Sequence, residues 1–235
     1  MKPSRCLRPR SSMSNVKISL LIACFATANL VAHPSEPNIY KCSTPAVTML
    51  QEMSNTLMKE YAHEKTKLKD STAIKSYAKR VTSNALLPSL DAEYMAKQIV
   101  GRYHWNNARS RDKQAFVESY KTLIAMEYSD FLLDSSNDEN HLKFYPSRRN
   151  TPAQTIVLAT VNTDRKKSTI GFYMHCVNNT VINNLPYKTW MIYDITLDNI
   201  SYLDQFKVAA SSTVRNSGLP GLTKKINEMI AKRKD

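Results

Sequence analysis

The chain has 235 residues, a formal net charge of +13 and only four glycines. Its lysines and arginines are spread along the sequence instead of forming a basic block, which argues against nucleic-acid binding. Four scattered glycines cannot build a phosphate-binding loop or a dinucleotide fingerprint, and no two of the five histidines have metal-ligand spacing.

Residues 1–28 have the pattern of a secretory signal. Residues 1–17 contain five Lys or Arg and no acidic residue, the apolar run Ile18–Phe25 follows, and Ala26–Ala28 is a small-x-small cleavage site. The run is too short to span a bilayer, which takes roughly 20 apolar residues. We therefore expect export and cleavage after Ala28, which lowers the formal net charge from +13 to +8.

A second interpretation of this segment is a bacterial lipoprotein signal, in which Cys24 is acylated. The short distance from Lys17 to Cys24 and the continuation of the apolar run to Phe25 favour ordinary cleavage. The basic mature surface is either a plain soluble surface or one that attracts anionic membranes and acidic partners.

The remaining chain is predicted to be a short extended leader, residues 29–43, and a single domain, residues 44–235. No linker or repeat divides it.

Cys42 and Cys176 are the two cysteines left after cleavage. In an oxidising compartment they form either one disulfide or two unpaired thiols, and the sequence leaves both open.

Helical periodicity dominates the first half of the domain. The predicted helices begin at Thr44-Pro45, with Thr44 as cap and Pro45 at the first helical position, at Asp70-Ser71, at Asp91 and at about Arg111. The second is broken by Leu86-Leu87-Pro88, the third ends at Gly101, and the fourth runs to about Leu133.

Segments rich in β-branched and aromatic residues follow, at 141–146, 154–162, 168–178 and 188–198, with a connection at Asn178–Pro186. Helical periodicity returns after Ser201, stops at Gly218 and resumes at Pro220. Helices, then strands, then helices predict an α+β fold with an antiparallel sheet of about four strands.

Few side chains suggest catalysis. Asp194 lies in an apolar strand, where it is either a general base or, as we prefer, a structural acceptor of hydrogen bonds. A hydrolase built on Asp194 and His175 would lack a neighbouring nucleophile.

The twelve tyrosines and ten methionines form either an ordinary core or the flexible lining of a cavity.

Three stretches favour the cavity. They are Leu86–Trp105 with Asp91 and Tyr94, the helix from Ala108 through Phe116 to Tyr128, and Trp190–Ser201 followed by Arg215, Gly218 and Leu222. In order and spacing they resemble the MlaC, or toluene-tolerance, family of periplasmic phospholipid carriers of Gram-negative bacteria. Asn199 departs from that pattern, in which a glycine occupies its position.

The resemblance implies helices packed on one face of a curved antiparallel sheet, with acyl chains held between them. It implies a carrier and not an enzyme, without metal or cofactor, whose cargo is a phospholipid. The implied partners are an outer-membrane lipoprotein–porin complex and an inner-membrane ABC transporter complex, with transient membrane-surface contact and no nucleic acid. We expect a periplasmic monomer that maintains outer-membrane lipid asymmetry; the alternative is an exported adaptor that binds a protein partner without lipid.

Tyr103 and side chains on the predicted long helix and strands are candidates for the cavity lining, and we expect about half to contact lipid. They are Tyr103, Phe116, Tyr120, Leu123, Tyr128, Phe172, Met174, Trp190 and Ile192. Asp194, Gly101 and Gly218 are expected to have structural roles.

Overall fold

The structure is a computed structural model that describes residues 42–68, 70–135, 142–148, 150–162, 167–182 and 185–233. The predicted signal, the lipoprotein alternative at Cys24 and nearly all of the predicted leader lie outside these residues. The described residues belong to one compact unit, Pro37–Asp235.

Six helices are described: α1 Ala46–Lys65, α2 Ser71–Leu86, α3 Ala92–Val100, α4 Arg102–Asn107, α5 Ser110–Ser135 and α6 Tyr202–Lys232. A short 3₁₀ turn, Leu87–Ser89, follows α2 where the Leu-Leu-Pro sequence predicts a break. Asp70 and Asp91 cap α2 and α3 as predicted, each accepting a backbone N–H three residues later. No helix in the described part of the chain is both long enough and apolar enough to cross a membrane.

The strands are β1 Lys143–Pro146, β2 Gln154–Asn162, β3 Lys167–Ile182, β4 Leu185–Leu197 and β5 Ile200–Ser201. They form one antiparallel sheet in chain order, β1-β2-β3-β4-β5. The predicted α+β class is confirmed, with a fifth strand of two residues added at the edge.

Alternating burial along the strands puts the core on one face of the sheet. In β2, Thr155, Val157, Ala159 and Val161 are buried, while the residues between them are only half-buried. One hydrophobic cluster joins this face to the helices through Met49, Leu50, Phe116, Met174, Ile192, Leu222 and Ile226. The far half of α1 packs against α2 in a separate small cluster around Tyr61 and Ala78.

Several boundaries differ from the prediction. α1 begins at Ala46, so Pro45 occupies the cap position and Thr44 makes no side-chain cap. α4 was not predicted; it begins directly after Gly101, whose φ of +80° separates α3 from α4. The predicted connection at Asn178–Pro186 is largely strand, because Thr180, Val181 and Ile182 continue the β3–β4 ladder beyond a bulge.

Gly218 breaks α6 as predicted. Its backbone angles, φ 61° and ψ −160°, are not helical and lie in a region that a residue with a Cβ rarely adopts. Pro220 follows at the start of the second half, where its missing N–H removes no helical hydrogen bond. The helix therefore consists of two rods that meet at a kink.

The segment before α1 is attached to the sheet at three points. Cys42 and Cys176 form a disulfide, with Cα atoms 6.0 Å apart. The Cys42 N–H donates to the Lys188 carbonyl at 2.8 Å, and the Trp190 indole N–H donates to the Thr44 carbonyl at 2.9 Å. These contacts hold the start of α1 against β3 and β4.

Asp194 makes the corresponding attachment for α6. Its carboxylate accepts hydrogen bonds from the Ser201 hydroxyl at 2.7 Å and from the Leu203 N–H at 3.1 Å. Burial raises the pKa of Asp194, while the hydrogen bonds from Ser201 and Leu203 act in the opposite direction. The carboxylate thus serves as an acceptor for the first turn of α6, which is the geometry expected of a structural residue.

Replacing both cysteines, Cys42→Ser with Cys176→Ser, should lower the free energy of unfolding by about 2–4 kcal/mol, because a cross-link between distant residues restricts the unfolded chain. Urea denaturation of the processed protein measures this. Alkylation and mass measurement of the parent protein should find no free thiol before reduction. Two alkylated thiols without reductant would show that the bridge does not form.

Asp194→Ala should destabilise the protein by about 1–3 kcal/mol, because it leaves the buried Leu203 N–H and the Ser201 hydroxyl without their acceptor. Asp130→Ala, at an exposed position of α5, is the matched control and should stay within about 0.5 kcal/mol of the parent. Equal losses of stability in the two variants would contradict the role assigned to Asp194.

Candidate functional site

A largely apolar cavity of about 480 Å³ lies between the helices and the sheet. This volume is within the range of ligand pockets, roughly 300–1,000 Å³. The residues that line it are Met53, Ser54, Leu57, Met58, Thr82, Leu86, Leu90, Met95, Tyr120, Leu123, Ile124, Glu127, Tyr128, Leu142, Phe144, Val161, Ile170, Phe172, Ile195, Thr196, Leu197, Tyr202, Gln205, Phe206, Ala209 and Met229.

The helical and strand periodicity of these residues explains why their side chains line the same cavity. On α5, Tyr120, Leu123, Ile124 and Glu127 recur at helical intervals and form one face. The lining residues of α6, from Tyr202 to Ala209, recur in the same way. On β3, Ile170 and Phe172 alternate along the strand and contribute the sheet side of the wall.

The cavity interior contains neutral hydroxyl groups. Burial raises the pKa of Tyr120 and of Tyr128 well above the ordinary value for tyrosine, so both phenols stay protonated at physiological pH. The ring of Tyr120 packs against the rings of Phe116 and Phe206, with centroids 6.0 and 5.2 Å away. The interior therefore suits the uncharged, apolar part of a ligand.

The lining residues that are most exposed to solvent mark the opening of the cavity. They are Glu127 on α5 and Tyr202, Gln205, Ala209 and Met229 on α6. Tyr202 is 48% exposed and Met229 is 38% exposed. Among the described lining residues, Glu127 is the one with a charged side chain. We call this group the mouth.

Four of the nine candidate lining residues lie in the cavity wall: Tyr120, Leu123, Tyr128 and Phe172. Phe116, Met174, Trp190 and Ile192 are buried elsewhere in the core, and Tyr103 on α4 is 75% exposed. Phe116 is one helical turn from Tyr120, so spacing alone could not separate the two.

Much of the cavity wall is not predicted from the sequence. The missed residues include Met53, Leu57 and Met58 on α1, Phe144 on β1, Ile195 and Leu197 on β4, and Tyr202, Phe206 and Met229 on α6. The i, i+4 spacing of Tyr202 and Phe206 was a usable signal for one face of α6. No comparable signal identifies Phe144, whose position depends on the pairing of β1 with β2.

The structure does not join Asp194 and His175 in a catalytic arrangement. His175 Nε2 lies 2.9 Å from Asp91 Oδ2, at the start of α3. Asp194 is engaged with the start of α6. Among the described residues, no group of three or more His, Cys, Asp or Glu side chains could hold a metal ion.

A second cleft, of about 580 Å³, lies between α3, α5 and the sheet. Its volume is comparable to that of the apolar cavity, but charged side chains line it, including Glu93, Lys113, Glu118 and Lys121. Acyl chains would leave these charges without water, which is costly. The apolar cavity is therefore the better candidate for a lipid site.

Comparison with known proteins identifies the fold and the family. A phospholipid-binding protein from Ralstonia solanacearum, solved in complex with a phospholipid, has the same fold, with a TM-score of 0.63 at 15% identity over 82% of this chain and 100% of that one. No curated protein matches in a sequence search. The family model for the MlaC protein matches residues 51–228. Since that match spans most of the sequence, the chain belongs to the MlaC family.

Proposed function

We propose that the protein is a periplasmic phospholipid carrier that moves lipid between an outer-membrane lipoprotein–porin complex and an inner-membrane ABC transporter complex. The observation that carries this proposal is the apolar cavity with a solvent-facing mouth. Membership of the MlaC family and the phospholipid held by a protein of the same fold support it.

The cavity supplies what a lipid carrier needs. Removing an acyl chain from water contributes roughly 0.8 kcal/mol per CH₂, so a carrier can take a lipid from a membrane only if it shields the chains well. The wall offers flexible methionines, Met53, Met58 and Met95, and broad aromatic surfaces, Phe144, Phe172 and Phe206. Such binding requires no catalytic group.

The N-terminal sequence supports the periplasmic part of the proposal. Cleavage after Ala28 would release a protein that diffuses freely between two membranes, as a carrier between them must. The formal charge of +8 left after cleavage would attract anionic head groups and acidic partner surfaces. An exported adaptor without lipid is the alternative from a different functional class.

Native mass spectrometry of the processed protein, purified without detergent from a Gram-negative host, tests the proposal. We expect a bound species heavier than the polypeptide by the mass of a phospholipid, released on denaturation. A protein that is uniformly empty, and that also stays empty after incubation with phospholipid vesicles, would contradict lipid carriage. If that empty protein formed a stable complex with another protein, the adaptor function would replace lipid carriage as the proposed function.

A tryptophan at the mouth should obstruct the entry of lipid. Ala209 lines the mouth and is exposed, so Ala209→Trp adds bulk there without overfilling the core. We expect the lipid-bound fraction in native mass spectra to fall severalfold. Ala115→Trp, at an exposed position of α5 outside the cavity, should leave occupancy unchanged. Equal occupancy in both variants would contradict this position for the mouth.

A further inference from the structure

We propose that Glu127 and Arg233 form a head-group site at the mouth, in which Arg233 binds the phosphate and Glu127 binds the ammonium of a zwitterionic phospholipid. The inference rests on the proposed carriage of phospholipid and adds the class of head group and the residues that select it.

The two side chains meet at the edge of the mouth. Arg233 Nη2 lies 2.8 Å from Glu127 Oε1, and the side chains are 36% and 46% exposed, respectively. Glu127 lines the cavity one helical turn after Leu123. Arg233 follows the end of α6, one turn after Met229, which also lines the cavity. The ion pair therefore connects α5 to α6 beside the opening.

The chemistry of the pair fits a phosphate. With its acyl chains in the cavity, a phospholipid leaves its phosphodiester at the mouth, where Glu127 alone would repel it. The guanidinium of Arg233 removes this repulsion. Its contact with Glu127 uses Nη2, and a guanidinium has five N–H donors in a planar fork that matches phosphate oxygens. It can therefore hold a carboxylate and a phosphate together.

The carboxylate adds selectivity among phospholipids. Phosphoethanolamine carries an ammonium a few bonds from its phosphate. Its ammonium can therefore pair with Glu127 while its phosphate pairs with Arg233. Half-exposed ion pairs are weak, so loosening the Glu127–Arg233 contact enough to admit the lipid charges costs little. A phosphoglycerol head group has no ammonium for Glu127, and diacylglycerol has no charge at all. We therefore expect binding to decrease from phosphatidylethanolamine to phosphatidylglycerol to diacylglycerol.

The test is a competition read by native mass spectrometry. The processed protein is incubated with vesicles containing equal amounts of dioleoyl phosphatidylethanolamine, dioleoyl phosphatidylglycerol and dioleoylglycerol, and the bound species are counted. Arg233→Ala should lower the ratio of phosphatidylethanolamine to diacylglycerol by about three- to fivefold, the effect of losing one half-exposed ionic contact. Glu127→Gln should lower the ratio of phosphatidylethanolamine to phosphatidylglycerol by a similar factor.

Arg215→Ala is the matched control, since Arg215 is exposed on α6 outside the cavity lining, and it should change neither ratio. A thermal melt accompanies each variant, and Arg233→Gln replaces Arg233→Ala if that variant does not fold. Lipid binding with both ratios unchanged in the Glu127 and Arg233 variants would overturn the head-group site and leave the carrier function standing. A parent protein that binds none of the three lipids would overturn both.

Discussion

The strand β4 holds the helices in place. At residues 188, 190, 192 and 194 it contacts, in turn, the starts of three helices. The Lys188 carbonyl and the Trp190 indole bind the segment before α1, the Ile192 carbonyl accepts the Asp91 N–H before α3, and the Asp194 carboxylate accepts the Leu203 N–H in α6. Backbone carbonyls and side chains of one strand thus fix where three helices begin.

This arrangement leaves room for a cavity. Helices that are anchored at their starts can span the sheet without filling all the space beneath them. The two rods of α6, joined at Gly218, both contribute to the wall, through Phe206 before the kink and Met229 after it. The disulfide adds a covalent attachment for α1, whose Met53 and Leu57 also form part of the wall. The packing that stabilises the fold and the space that would hold lipid therefore depend on the same contacts.

Local signals in the sequence predicted much of the fold. Aspartate caps at Asp70 and Asp91 and the kink at Gly218 depend on residues close in the chain, and the structure has all three. The α4 helix, the full length of the β3–β4 ladder and the choice of disulfide over free thiols depend on tertiary contacts, which no short window of sequence contains. The same limit applies to the site: Phe116 and Tyr120 share a helix face, yet one fills the core and the other lines the cavity.

The most direct test of the account is to find where acyl chains contact the protein. A phospholipid with a photoreactive group near the end of one acyl chain is loaded into the protein and irradiated. Peptide mass spectrometry then identifies the residues to which the lipid is cross-linked. We predict cross-links at residues that line the cavity, such as Leu123, Phe172 and Phe206. Cross-links confined to the outer surface around Tyr103 and α4, with the cavity residues unlabelled, would contradict it.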